Sequence, residues 1–322
     1  MNSKYRYYIF APADGVSGGA ELSHQLGREL VRGGVSAWMY YVDTKAVVKE
    51  PVDVPANIKY EKYGIGHVTE VNDVDNEASV IIIPEGLITW SLVFKKCKKV
   101  IWWMSVDNYL TIEKTLESDI LGMIRNEIPI HLVQSQYAYQ FLLERGVVEE
   151  KILWVSDYIS ENFGRFKMPL EFRRDIALYN PKKGLELIKP LMKRTSWLKW
   201  IPLAGLTEEQ MIAVMGIAKL YVDFGHHPGK DRIPREAASG GCCIITNRKG
   251  SAAFYEDVPI PDCYKIANVL EEYERVSELV KDICKHWEEH SKRLEKYRDF
   301  ISAEREKFSK DVKVFVKKME SL

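Results

Sequence analysis

The chain has 322 residues, 46% hydrophobic and 29% charged, which is the balance of an ordinary globular protein of about two domains. Forty-six basic residues offset forty-six acidic ones, and a formal net charge of zero argues against broad nucleic-acid binding, which needs an excess of phosphate-neutralising side chains. The longest apolar runs, such as Val80–Pro84 and Val100–Ser105, fall far short of the roughly 20 residues that span a bilayer. The start, MNSKYRYYIFAPADG, has too short an apolar run for a signal peptide, and five cysteines without CxxC spacing suit reduced core thiols. A cytoplasmic protein is expected, with peripheral contact at the inner face of a membrane left open.

Taken in chain order, apolar runs alternate with amphipathic stretches. Tyr5–Pro12 reads as a first strand, Asp14–Gly19 as a loop, and the spacing of Ala20, Leu22, Leu26, Leu30 and Val31 as a helix ending at Gly33-Gly34. Further strands are expected at Ala37–Val42, Ser79–Pro84, Val100–Met104, Ile130–Val133 and Lys151–Val155, with helices at Thr111–Ile124 and Tyr137–Arg145. After a looser connection at Ser160–Arg174 the alternation resumes. It runs strand Asp175–Tyr179, helix Leu185–Lys193, strand Leu198–Leu203, helix Glu208–Met215, strand Lys219–Phe224, helix Arg232–Ser239 and strand Cys242–Thr246. From Asn268 onward there is no glycine or proline, and the chain reads as charged helices. Two α/β, doubly wound, Rossmann-like domains follow from this pattern: residues 1–165, joined by a C-terminal helix at about 300–322, and residues 166–299.

The stretch KLYVDFGHHPGKDRIPREAASGG, residues 219–241, carries the most chemistry. An apolar strand opens into a loop with His226, His227, Gly229, Lys230 and Arg232, and a short helix then brings Glu236. Backbone N–H groups and cations at a helix N-terminus stabilise phosphate oxygens, so the loop suits an anionic ligand. The two histidines read as donors to phosphate or sugar oxygens. Asn180, Lys182 and Lys183 follow another strand of the same half and should reach the same sheet edge, where open α/β folds bind ligands; solvated surface lysines are the plainer reading. Gly18 and Gly19 start a helix after the first strand, without the spacing of a dinucleotide fingerprint, and allow close backbone approach or simply a tight turn.

Other signals read as structural. Asp73-Val-Asp75 resembles a short metal motif but precedes a strand, where acidic turn residues are common. His286-Trp-Glu-Glu-His290 matches a zinc-protease pattern, yet Val276, Leu279, Val280, Ile283, Trp287 and Leu294 mark an amphipathic helix with solvated charges. Lys95, Lys96, Lys98 and Lys99 read as a solvated turn rather than a lipid contact.

Together the loops resemble those of retaining glycosyltransferases of the GT-B fold, family 4 in particular. Gly18-Gly19-Ala20-Glu21 is similar to that family's GGxE loop, Asn180-Pro181-Lys182-Lys183-Gly184 to its KG turn, and Leu203–Glu209 to its glycine-to-Glu-Glu segment. Pro234–Gly241 is similar to its PxEAxAxG stretch, and Gly250-Ser251 to the glycine turn that follows. The likeness spans most of residues 5–266. The family carries two glutamates eight positions apart; Glu236 matches the second, while Pro228 stands where the first belongs, and the arginine that precedes the KG lysine is missing.

The resemblance implies a nucleotide-sugar donor lodged between two facing domains. Lys183, Lys230 and Arg232 would stabilise the leaving diphosphate, with Lys182, His226, His227, Gly229, Gly250 and Ser251 around it, Glu236 on the ribose, and the Gly18-Gly19 backbone assisting. It implies no metal, no further cofactor, and a glycan or lipid-linked acceptor of the kind used in cell-surface polysaccharide synthesis. Glu85 and Asp107 follow strands of the first domain and are expected at the acceptor; Asp107 alternatively caps a helix near Thr111. Trp102 and Trp103 are candidates for stacking on sugar rings or for core packing. Two other readings stay open at this point: a nucleotide-sugar epimerase on the same fold, and a non-catalytic sugar-nucleotide or glycan-binding protein.

Overall fold

Short apolar runs punctuated by glycine, asparagine and aspartate become parallel strands joined by helices, because a parallel pair needs a crossover and a helix is the cheapest one. The computed structural model describes residues 3–14, 16–44, 51–53, 57–68, 70, 74–165 and 168–322. The chain divides into two units, Met1–Asp157 with Glu306–Leu322, and Tyr158–Arg305.

The first unit runs β1 (Arg6–Pro12), α1 (Gly18–Arg32), β2 (Ala37–Val42), β3 (Ser79–Pro84), β4 (Lys98–Trp103), α2 (Val106–Leu116), α3 (Ile120–Ile124), β5 (Ile130–Val133), α4 (Gln136–Glu144) and β6 (Ile152–Trp154). Its sheet has the order β2-β1-β3-β4-β5-β6, every pair parallel. β3 is buried along its whole length, as a strand covered on both faces must be. Phe10 and Tyr40 stack at 4.2 Å between Trp90 and Phe94, filling the core on one side of the sheet.

The second unit runs α5 (Asn162–Arg165), β7 (Arg174–Tyr179), α6 (Leu185–Arg194), β8 (Lys199–Pro202), α7 (Glu208–Ile217), β9 (Ala218–Asp223), α8 (Arg232–Ser239), β10 (Cys243–Asn247), β11 (Lys265–Ile266), and the helices α9 (Tyr273–Lys285), α10 (Trp287–Arg293) and α11 (Glu295–Ser302). Its strands lie in the order β11-β10-β9-β7-β8, again all parallel. A last helix, α12 (Glu304–Glu320), starts in this unit and continues into the first, where Phe315 packs edge-on against Tyr7 at 6.0 Å.

Strand order fixes where a ligand can sit. In each sheet the winding direction reverses once, between β1 and β3 in the first and between β7 and β9 in the second. The loops leaving the C-terminal ends of two such strands diverge to opposite faces and open a crevice, the usual binding place in this architecture.

Two expectations change. The helix expected over Thr111–Ile124 is two, because Glu117 adopts a left-handed φ of 48° that ends α2. The helix through His286 is also interrupted. His286 leaves helical geometry (φ −120°, ψ 41°), and His290 is buried rather than solvated, its Nδ1 2.7 Å from the Tyr264 hydroxyl and its Nε2 3.0 Å from Asp282.

Candidate functional site

The switch point of the second sheet brings the loop after β7 against the loop after β9. The Asn180 side chain accepts from the Lys182 N–H at 3.0 Å and turns the chain, and Gly184 then takes a left-handed φ of 69° to start α6. A Cβ on Gly184 would lie 2.4 Å from the Gly225 nitrogen, and one on Gly225 would lie 2.7 Å from Lys183 Cγ. Only glycines let these loops close on each other, and the Lys183 stem lies across the gap. Its ammonium donates to the His226 carbonyl at 3.2 Å, to the Asp231 carboxylate, and sits 3.7 Å from Asp223.

Three buried or half-buried groups surround that ammonium. Asp223, the last residue of β9, accepts from the Tyr221 hydroxyl at 2.7 Å and from the Gly225 N–H at 3.0 Å. His227 is buried, with Nδ1 2.9 Å from Asp231 and Nε2 3.8 Å from Asp223. Burial works against ionisation of Asp231, but His227 and Lys183 outweigh it and hold the carboxyl below the usual aspartate range. Ligand atoms of Asp223, His227 and Asp231 lie within 4.8 Å of one another, a spacing suited to a cation. Here the positive charge beside Asp223 and Asp231 comes from the chain itself, through Lys183.

The remaining basic residues of the loop separate. Arg232 Nη2 lies 3.3 Å from Glu236 across one turn of α8, with Glu236 itself buried. Lys230 goes elsewhere than expected: its side chain is only 5% exposed, and its ammonium lies 2.7 Å from Glu304 Oε1. A third loop closes the edge. Asn247, at the end of β10, donates to the Phe224 and Gly225 carbonyls at 2.7 and 2.8 Å. Ser251 donates through Oγ to the Gly229 carbonyl at 2.6 Å and through its backbone to the His227 carbonyl at 2.8 Å. Gly250 has φ 58°, and a Cβ there would come within 1.9 Å of the His227 oxygen. Among the exposed groups at this edge are His226, Lys182, Arg248 and Lys249.

The first unit's switch point is built differently. Ser17 caps α1 by accepting from the Ala20 N–H at 3.1 Å, so Gly18 and Gly19 form the helix's first turn. The Tyr60 hydroxyl fixes this turn, donating to the Ser17 carbonyl and accepting from its N–H, both at 3.1 Å. Glu21 accepts from the Tyr63 hydroxyl at 2.8 Å. Gly15 of the same loop lies outside the described residues. A Cβ on Gly19 would meet Met104 Cε at an ordinary 3.7 Å, so nothing among the described residues demands glycine there.

Glu85, which follows β3, is turned inward at 1% exposure instead of facing out. It accepts from the Met104 N–H at 2.8 Å and from Asn108 Nδ2 at 3.0 Å, and burial raises its pKa to about 7 against those bonds. Ser105, not Asp107, caps α2, and Asp107 sits half-buried in its first turn. Trp102 and Trp103 are both fully buried, which removes them as sugar-stacking groups. Trp102 donates to the Val155 carbonyl at 3.0 Å and Trp103 to His131 Nδ1 at 3.1 Å. Asp73 lies outside the described residues, while Asp75 accepts three backbone N–H bonds from Lys95, Lys96 and Cys97 at 2.8 to 3.1 Å and so organises the lysine turn.

Sequence reasoning passed over Asp223, Asp231, Asn247 and Glu304. An acid ending an apolar strand and an aspartate just before a proline-bearing helix were visible signals for the first two. Asp231 reads as a helix cap, but its side chain makes no capping bond and turns to Lys183 and His227. Glu304 stands in a helical, charge-rich stretch and carried no local signal.

No protein-family model matches the chain, and no curated protein sequence does. Solved structures do. The Anabaena HepE protein in complex with UDP is 11% identical, with a TM-score of 0.69 over 98% of this chain and 100% of that one. Sucrose-phosphate synthase from Thermosynechococcus elongatus is 12% identical, with a TM-score of 0.65 over 98% and 99%. The lipopolysaccharide outer core galactosyltransferase WaaB is 11% identical, with a TM-score of 0.64 over 97% and 99%. At these identities the likeness is one of fold: this chain has the two-Rossmann-unit α/β fold of GT-B glycosyltransferase structures.

Proposed function

We propose that this chain is a glycosyltransferase that takes a sugar from a nucleotide-sugar donor. The observation that carries the reading is the placement of Lys183. It lies at the switch point of the second sheet, its stem across Gly225 and its ammonium held at the loop that leads into α8. Cleavage of the anomeric C–O bond puts growing negative charge on the departing diphosphate, and a fixed cation there favours the transition state over the ground state. The fold shared with the UDP-bound HepE structure supports a nucleoside diphosphate as that ligand.

Lys183 and Arg232 meet the diphosphate, and Glu236 accepts from ribose hydroxyls and fixes the donor's position. His226, Lys182, Asn180, Gly229, Gly250 and Ser251 shape the loops around it. Lys230 is assigned to holding the loop, since its ammonium is buried against Glu304, whereas the Lys183 side chain keeps 27% exposure. No metal is needed where Lys183 supplies positive charge beside Asp223 and Asp231, and the loop resemblance supports retention of configuration. The acceptor is a glycan or lipid-linked glycan of cell-surface polysaccharide synthesis, a reading the WaaB likeness supports. Gly18 and Gly19, in the first turn of a 15-residue helix, offer N–H groups to an anionic ligand.

The test is a thermal-shift and calorimetric screen against UDP, GDP, ADP and dTDP and their sugars, followed by donor turnover with and without an acceptor panel. One nucleotide series should raise the melting temperature, and Lys183→Ala should weaken its binding about a hundredfold, the loss of a charge-assisted contact. Binding of no nucleotide, or binding untouched by Lys183→Ala, overturns the reading. Tight binding without turnover marks a binding protein, and UDP release without an acceptor marks an epimerase.

A further inference from the structure

Three charged side chains are buried together behind the donor loop. Glu304 is 2% exposed, Arg235 1% and Lys230 5%. Glu304 uses both oxygens: Oε1 lies 2.7 Å from the Lys230 ammonium, and Oε2 accepts from Arg235 Nη1 at 2.7 Å. Arg235 also reaches backbone with its other nitrogens. Nη2 donates to the Lys230 carbonyl at 2.9 Å and Nε to the Asp231 carbonyl at 3.1 Å. The Lys230 ammonium also rests 5.0 Å from the centre of the Phe300 ring. The guanidinium therefore grips two successive carbonyls at the last step before α8.

Two cations cannot stay this deeply buried without an anion, because an uncompensated charge in a low-dielectric interior costs more than the packing around it returns. Glu304 is an anion that reaches both, and it comes from the start of α12, not from the loop or α8. Residue 231, whose carbonyl Arg235 holds, sends its carboxylate to Lys183 and His227. Arg232 and Glu236 follow in the next turn.

We propose that Glu304 is a positioning residue for the donor site. Acting through Arg235 and Lys230, it sets the path of residues 225–231 and with it the placement of Asp231, Lys183, Arg232 and Glu236. The geometry of the clamp stands on its own; its consequence for donor binding rests on the function proposed above.

Glu304→Gln keeps the shape and removes the charge, and Glu304→Asp keeps the charge and shortens the reach. Hydrogen exchange on the full-length protein, well below its melting temperature, should show amide protection in residues 225–236 falling about tenfold or more in Glu304→Gln, with β7 and β10 unchanged. Nucleoside diphosphate affinity should fall roughly tenfold or more in Glu304→Gln and less in Glu304→Asp, as expected for misplaced contacts. Unchanged exchange in 225–236, a loss of protection spread evenly over 158–305, or unchanged nucleotide affinity each overturns the proposal. Where the unsubstituted protein binds no nucleoside diphosphate, the donor-site reading fails, and the exchange pattern still decides the clamp.

Discussion

The two sheets reverse their winding at equivalent places, yet the loops at the two reversals are built on opposite principles. In the second unit the edge is crowded with charge, and nearly every charge answers another: Lys183 with Asp231, Arg232 with Glu236, and Lys230 and Arg235 with Glu304. In the first unit the edge has a glycine-led helix start and one inward carboxyl, Glu85, held by neutral donors. Pairing holds these side chains in fixed positions before a ligand arrives, so the second edge suits electrostatic work. The first edge suits close approach to backbone and leaves its inward acid, Glu85, protonatable near neutral pH.

The comparison breaks first at the glycines. Gly250→Ala should cost about 3–5 kcal/mol, since a left-handed backbone and a Cβ at 1.9 Å from the His227 oxygen both have to be relieved. A fall in melting temperature of a few degrees per kcal/mol would be read by calorimetry; an unchanged transition would mean the third loop does not close the edge as described.

Next in size is the pH response of Glu85. Its folded-state pKa, about 7, lies above the ordinary value of 4.5, so between the two the folded chain holds a proton that the unfolded chain releases. Its stabilising contribution is present below pH 4.5, declines as pH rises, and is lost above pH 7, a swing of about 3 kcal/mol at most. Denaturant melts from pH 5 to 8 should therefore fall more steeply for the unsubstituted chain than for Glu85→Gln. Parallel curves would show that Glu85 ionises freely.

Smallest and most selective is Gly19→Ala. With ordinary helical geometry and a 3.7 Å neighbour, stability should stay within about 1 kcal/mol or improve slightly. Donor turnover should still fall about tenfold, the cost of a methyl group where a ligand meets backbone. Full turnover would reduce Gly18-Gly19 to a plain turn.

Much of the fold was legible along the chain. The strands Ala37–Val42, Ser79–Pro84 and Ile130–Val133 and the helix Arg232–Ser239 have the limits their residue pattern predicts. Buried parallel strands are continuous apolar runs, and their turns need glycine or a short polar side chain, so both signals are local. The site was legible in part. Lys183 and Glu236 stand beside recognisable turns, whereas the fates of Lys230, Glu85 and the two tryptophans were hidden, because burial depends on neighbours distant in sequence.

Amino-acid order alone determined two α/β halves with basic, glycine-bearing loops at strand ends, since periodicity and turn chemistry act over a few residues. Only the folded chain decided which cation is spoken for. Glu304 lies 74 positions after Lys230 and 69 after Arg235 in the sequence, yet it is their counter-ion in space. Coulomb pairing in a dry interior is a matter of a few ångströms, and nothing in local pattern records which residues will meet at that distance.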